Sequence, residues 1–176
     1  FYKDGTFAVE PLIINPDRLK DFNDHLMLFF TGVSRLSTEI TKSQIMNIDN
    51  CYSQLSEMYD MVDEGSSILT NANTPLDDFG KLLHKSWLIK RGLSKKITNT
   101  MIDDLYNAAI KAGALGGKVL GAGGGGFVLF VVKSENQDRV KKALSNLTFV
   151  PFKFENTGSK IVVYQPNGFW FVVLWS

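Results

Sequence analysis

The sequence predicts an α+β domain in which helices cover one face of a small antiparallel sheet. Three observations lead there: apolar runs of strand length, longer segments with helical periodicity, and a glycine cluster between the two kinds of pattern. The 176 residues suffice for one domain with a hydrophobic core. The order strand, helices, glycine loop, strand, helix, strand and strand is typical of the α+β class.

The N-terminal half contains one strand pattern followed by helical patterns. Residues 1–14 are expected to be extended, and residues 19–23 to form a short helix. The run HLMLFFT at 25–31 is continuously apolar and predicts a buried strand. Apolar side chains recur three and four apart over 34–71 with a slip at 47–50, so we expect two helices or one kinked helix.

Two further helices precede the glycine cluster. Thr74 is expected to cap the first of them, with Pro75 in its first turn. The second runs from about residues 94–98 to Ala112, and Gly113 is expected to stop it in a left-handed conformation.

The remaining elements follow the cluster. Residues 127–132 predict a buried strand, 136–147 a helix, and 149–154 and 160–164 two more strands. Together with the elements before the cluster, they complete the small sheet.

The last ten residues, 167–176, are treated as an apolar tail separate from the domain at 1–166. They contain FWFVVLW, a run of seven apolar residues that is far too short to span a membrane. Two interpretations stay open. The tail forms a hairpin with 160–164, which the Asn-Gly turn favours, or it is a non-native extension.

Composition excludes several classes of function. The net charge of +1 argues against a nucleic-acid-binding face. The single cysteine, Cys51, forms no internal disulfide and suits a reducing compartment such as the cytoplasm. His25 and His84 lack partners at metal-ligand spacing, so no zinc site is predicted.

The run GGKVLGAGGGGFVLFVV, from Gly116 to Val132, carries the strongest functional signal. It predicts a tight loop at 121–126 between a helix and a strand, with Lys118 beside it as a cation. The run lacks the GK[ST] ending of a Walker loop, and its helix–loop–strand order does not fit a dinucleotide site. Either the loop holds or supports a phosphate, or it is a crowded turn without a ligand.

KVLGAGGGGFVLFV resembles the third motif of the GHMP kinases. Three segments are similar to the branch that phosphorylates sugars at the anomeric carbon: TGVSRLSTEI, HKSWLIKRGLSKKITN and IDDLYNAAIKAGALGGKVLGAGGGGF. Within that branch the heptose 7-phosphate kinases are most similar and the fucokinases less so. The resemblance covers about residues 1–166 and implies the ferredoxin-like, two-layer C-terminal domain of these kinases.

The resemblance implies an ATP- and Mg²⁺-dependent sugar kinase of which this chain is the C-terminal half. The first and second family motifs and the catalytic aspartate belong to an N-terminal half and do not appear here. We therefore expect no catalytic residue in this chain and no turnover of ATP by it alone. A non-catalytic binding domain or an inactive remnant, and a fucokinase-like or galactokinase-like enzyme, stay as alternatives.

The resemblance also suggests site residues. One set would support the ATP-phosphate loop of the missing half: Lys118, Gly121, Gly123, Gly124, Gly125 and Gly126. For Lys118, a solvated helix-end lysine is the alternative.

Three basic residues are candidates for binding the substrate's phosphate. Arg35 is a candidate for the sugar's own phosphate, with a surface ion pair to Glu39 as the alternative. Lys90 and Arg91 form a second candidate phosphate grip, with a solvated helix end as the alternative. Asp103 and its neighbour are expected to be solvated and are assigned no catalytic role.

Overall fold

The computed structural model describes residues 2–33, 37–155, 160–163 and 172–174. Its helices are α1 (Pro16–His25), α2 (Ser37–Ile45), α3 (Tyr52–Thr70), α4 (Leu76–Gly92), α5 (Thr100–Ala112) and α6 (Gln137–Ala143). Its strands are β1 (Leu26–Phe30), β2 (Ala114–Val119), β3 (Phe127–Val132), β4 (Thr148–Val150), β5 (Lys160–Val163) and β6 (Val172–Leu174). A short 3-10 turn, Ile48–Asn50, separates α2 from α3 at the predicted slip.

The main sheet has four strands in the order β2-β3-β1-β4, and all three pairings are antiparallel. Leu28 of β1 lies between Leu129 of β3 and Val150 of β4. The predicted small antiparallel sheet with helices is therefore confirmed. Strands β5 and β6 pair with each other outside this sheet, with Ile161 opposite Val173, which agrees with the hairpin interpretation of the tail.

Helices bury side chains on both faces of β3, a wider cover than the single face predicted. Phe130 belongs to a cluster that contains Ile102 and Tyr106 of α5 and Val140 of α6. The neighbouring Val131 points to the opposite face and packs with residues from α1, α3 and α4: Phe22, Leu69 and Leu76.

The start of α4 differs from the prediction. Pro75 occupies the N-cap position, and no side-chain hydrogen bond caps the helix. Thr74 does not cap because it lies one position before the N-cap, and its carbonyl oxygen accepts a 2.7 Å hydrogen bond from the Arg18 guanidinium. The same guanidinium donates to the carbonyls of Ile68 and Leu69 in the last turn of α3. Arg18 thus ties α1 to the negative end of α3.

Strand β2 is the main element that the sequence did not predict. Gly116 and Gly117 lie inside it, where the sequence suggested a helix running into a loop. A β-carbon on Gly116 would collide with the carbonyl oxygen of Gly80, and one on Gly117 would collide with the Phe130 ring. These two glycines therefore serve helix–strand and strand–strand packing.

The structure shortens two other predicted elements. The helix after β3 covers seven residues at 137–143, and β4 covers three at 148–150. Within the described part of the chain, no helix combines the length and apolar character needed to cross a membrane.

Candidate functional site

The glycine loop, residues 120–126, joins β2 to β3. The amide of Leu120 donates to the carbonyl of Phe127 across 2.8 Å and closes its base. Five of its glycines have positive φ values that side-chain-bearing residues rarely adopt: 71° at Gly121, 112° at Gly123, 75° at Gly124, 158° at Gly125 and 86° at Gly126. The loop conformation is therefore specific to glycine.

Backbone hydrogen bonds hold the loop against two neighbouring segments. The Gly124 amide donates to the Ile97 carbonyl across 2.8 Å, ahead of α5. The Gly126 amide donates to the Val33 carbonyl across 2.7 Å, just after β1. Because these two amides bind protein carbonyls, they are not available to an anion.

Three side chains from helical segments bind the loop's carbonyl oxygens. Lys90 Nζ donates to Gly121 across 2.5 Å, Gln44 Nε2 to Ala122 across 3.2 Å, and Asn99 Nδ2 to Gly124 across 3.3 Å. Sequence reasoning missed Gln44 and Asn99. Asn99 was open to prediction because it also caps α5, accepting from the Ile102 amide.

Lys118 lies in β2 and points to α4, which rules out the helix-end alternative. Its Nζ donates to Ser86 Oγ across 3.2 Å, and Ser86 lies one helical turn before Lys90. Burial lowers the pKa of Lys118. Burial, with the charge of Lys118 as a second cause, lowers the pKa of Lys90 to about 8. The structure thus brings together two lysines that the sequence treated separately.

Arg91 does not join this pair. Its Nη2 lies 3.1 Å from Asp103 Oδ1, which also accepts a 2.7 Å hydrogen bond from Thr98. Lys90 and Arg91 therefore contact different groups, and Asp103 is paired and partly buried rather than solvated. Arg35 lies outside the described residues.

The Tyr106 hydroxyl holds the outer edge of β2 one residue before Lys118. It lies 3.2 Å from both the amide nitrogen and the carbonyl oxygen of Gly117, and 2.8 Å from His84 Nδ1. One assignment satisfies all three: the hydroxyl donates to the carbonyl and accepts from the amide and from Nδ1–H. Burial raises the pKa of Tyr106 to about 12. His84 is thus a hydrogen-bonding and stacking partner of Tyr106.

A cleft of about 420 Å³ opens between α3 and α4 and ends at Ser86 and Lys118. Most of its other lining is apolar and includes Met58, Met61, Leu69, Phe79 and Leu82. The described ranges contain no group of three or more histidine, cysteine, aspartate or glutamate side chains that would hold a metal ion.

Comparison with known proteins agrees with the family resemblance of the glycine motif. Residues 70–149 match the family model described as GHMP kinases C terminal. Over 147 residues the chain is 30% identical to the D-glycero-alpha-D-manno-heptose 7-phosphate kinase of Campylobacter jejuni subsp. jejuni serotype O:2, a match that covers 82% of this chain and 42% of the relative.

A second curated relative and a solved structure are more distantly similar to the chain. The bifunctional fucokinase/GDP-fucose pyrophosphorylase of Arabidopsis thaliana is 26% identical over 129 residues, covering 71% of this chain and 12% of the relative. The crystal structure of Methanococcus jannaschii mevalonate kinase superposes with a TM-score of 0.62 at 23% identity, covering 79% of this chain and 43% of that one. The last match shows a shared fold. The chain spans less than half the length of the curated relatives it matches.

Proposed function

We propose that the chain is the C-terminal part of an ATP-dependent sugar kinase, because residues 70–149 match the GHMP kinase C-terminal family model, as the glycine motif predicted. The observation that carries this proposal is the anchored glycine loop with Lys90 and Lys118 beside it. Phosphoryl transfer depends on positioning and on charge stabilisation, and a rigid loop next to two cations offers both.

The proposed acceptor is D-glycero-D-manno-heptose 7-phosphate, phosphorylated at C1 to the 1,7-bisphosphate. The 30% identity to a heptose 7-phosphate kinase across most of the chain supports this choice. A fucokinase-like activity is the second candidate, supported by the similarity to the plant bifunctional enzyme. The reaction places the protein in carbohydrate metabolism, and we propose a cytoplasmic location.

Within the kinase, the glycine loop would support the phosphate-binding loop of the N-terminal half. Gly124 and Gly126 give their amides to the protein, so the loop's contribution is shape and rigidity. Lys118 and Lys90 would offset phosphate charge at the loop's base, and Arg35 and Arg91 stay as candidates for the sugar phosphate. No catalytic residue is assigned to this chain.

ATP and Mg²⁺ fit this arrangement to different degrees. The two lysine ammonium groups suit the charge of phosphate oxygens. The described residues offer no carboxylate cluster for Mg²⁺, which commonly binds through one or two carboxylates and substrate phosphates. The metal would neutralise phosphate charge in the intact enzyme, and we assign it no ligand here.

The test joins this chain to an N-terminal half that carries the first two family motifs and the catalytic aspartate. ATP-dependent phosphorylation is measured with heptose 7-phosphate, fucose and galactose, and the 176-residue chain alone is the control. We expect activity only in the joined protein, highest with heptose 7-phosphate. Turnover by the chain alone would refute its assignment as a partial enzyme, and an inactive joined protein would refute the kinase assignment.

A further inference from the structure

We propose that Lys90, Lys118 and Ser86 form one binding site for a dianionic phosphate group. The proposal rests on the proposed function only for the source of that phosphate, a sugar phosphate or a nucleotide. The residues themselves, and the charge they leave uncompensated, come from the packing of α4 on β2.

The packing of α4 on β2 places the Lys90 ammonium against the glycine loop and the Lys118 ammonium one helical turn earlier, against Ser86. Lys90 Nζ is held by the Gly121 carbonyl, and Lys118 Nζ is held by Ser86 Oγ. Each ammonium carries three donors, so each keeps donors beyond the single hydrogen bond it makes. Ser86 and Lys118 also line the open cleft between α3 and α4, which gives a ligand access from solvent.

The charge of this pair is uncompensated among the described residues. Other lysines in the structure meet carboxylates: Lys85 lies 2.7 Å from Glu57, Lys81 2.8 Å from Asp78, and Lys133 2.6 Å from Asp77. Lys90 and Lys118 are more buried than those surface lysines, yet within the described ranges neither contacts a carboxylate. Two partly buried cations without a counter-charge repel each other, and an anion bound between them would offset that repulsion.

A phosphate monoester matches the site in charge and in hydrogen bonding. It carries about −1.5 to −2 charges near neutral pH, which nearly balances the two positive charges of the ammonium groups, and its oxygens accept hydrogen bonds from ammonium and hydroxyl donors. The lowered pKa of Lys90 supports the same site because a bound dianion would restore its charged form.

The groups that face Lys90 come from three elements. They are Lys118 of β2, the Gly121 carbonyl of the loop and, one turn earlier on α4 itself, Ser86, which accepts from Lys118. Since Lys118 is the one charged group among them, phosphate binding is expected to weaken as the pH rises through about 8 and Lys90 loses its proton.

Binding is measured on the 176-residue chain by calorimetry and by the side-chain NMR signals of lysine, with inorganic phosphate, a sugar 7-phosphate and ATP as separate probes. The variants are Lys90→Met and Lys118→Met, and Lys85→Met on the same helix is the matched control. We expect each site variant to weaken phosphate binding about tenfold, the usual value of a charge-assisted hydrogen bond, and the control to match the wild type. Thermal melting confirms that every variant is folded.

The three probes show whether the bound phosphate belongs to a sugar phosphate or to a nucleotide. The ester whose affinity falls in both site variants is the one that the site binds. Unchanged affinity in both variants, or no binding of any probe to the wild type at ~10 mM, overturns the site. If the joined kinase is active while the variants bind normally, the site is wrong and the proposed function stands. If the lysines bind phosphate in a joined protein that has no kinase activity, the site stands and the proposed function falls.

Discussion

The carbonyl oxygen of Gly80 in α4 lies where a β-carbon on Gly116 of β2 would have to be. The helix side of the contact is equally tight, since a β-carbon on Gly80 would come within 2.6 Å of the β-carbon of Leu115, the neighbour of Gly116 in β2. Two glycines thus allow helix and strand backbones to touch. Because Ser86 and Lys90 follow on the same helix, this contact sets their distance from Lys118 and from the glycine loop.

Gly116→Ala should therefore destabilise the protein more than an ordinary surface change. The new methyl group must displace backbone atoms of α4, and overpacking of this kind costs about 1 to 3 kcal/mol of unfolding free energy. Gly92→Ala, in the last turn of the same helix, has open space and should be neutral or stabilising by up to about 1 kcal/mol. Chemical denaturation measures both, and equal losses in the two variants would contradict the contact.

A second pair of variants separates two contributions of the glycine loop to stability, its positive φ values and its close contacts. At Gly121 (φ 71°) a β-carbon meets open space, so Gly121→Ala should cost about 1 kcal/mol from backbone conformation alone. At Gly123 (φ 112°) a β-carbon would also lie 2.6 Å from the Ile97 carbonyl oxygen, so Gly123→Ala should cost more. Thermal unfolding of both variants tests this order, and a smaller loss at Gly123 would show that the loop relaxes.

Part of this architecture could be read from the sequence because local rules determine it. Continuous apolar runs predicted β1 and β3, and the left-handed Gly113 ends α5 as predicted. The glycine run was harder because one composition serves two purposes. Gly116 and Gly117 lack a side chain because neighbouring atoms pack closely against them in a strand, whereas Gly121 and Gly123 adopt positive φ values. The sequence of the run does not distinguish these two reasons for a glycine.

The candidate site was only partly predictable for a similar reason. Lys90 and Lys118 were each identified, but they are 28 positions apart, and only the tertiary contact of α4 with β2 joins them. Lys90 and Arg91 were paired because they are adjacent, yet side chains of consecutive helical residues point about 100° apart and reach different partners. Arg18 was missed because its partners are backbone carbonyls, which carry no signal in the sequence.

Tyr106→Phe tests the hydrogen bonds at the outer edge of β2. The change keeps the ring and removes the hydroxyl, leaving the amide and carbonyl of Gly117 and the His84 ring without that partner. We expect a loss of about 1 to 3 kcal/mol in unfolding free energy, as for other buried groups left unpaired. Tyr52→Phe is the control because Tyr52 is 77% exposed, and it should change stability little. Equal stability of both variants would show that water replaces the hydroxyl.

The dependence of stability on pH gives a direct measure of the Lys90 environment. Its folded pKa of about 8 lies below the ordinary lysine value of about 10.5. Above about pH 8 the folded protein therefore releases a proton that the unfolded chain still holds, so Lys90 makes the unfolding free energy rise with pH between these values. Because the ammonium is only partly buried, screening reduces the expected rise to about 1 to 2 kcal/mol.

Denaturant unfolding between about pH 7 and pH 9.5 measures that rise in the wild type, in Lys90→Met and in Lys85→Met. Lys90→Met should be more stable than the wild type near neutral pH and should lose most of the rise, with the remainder due to Lys118, whose pKa is lowered in the same direction. Lys85→Met should keep the rise, because the hydrogen bond that Lys85 donates to the Glu57 carboxylate raises the pKa of Lys85 instead. A rise of wild-type size in Lys90→Met would assign the effect to another group. A rise that vanishes at saturating phosphate would link it to the anion site, since a bound dianion returns Lys90 to its charged form.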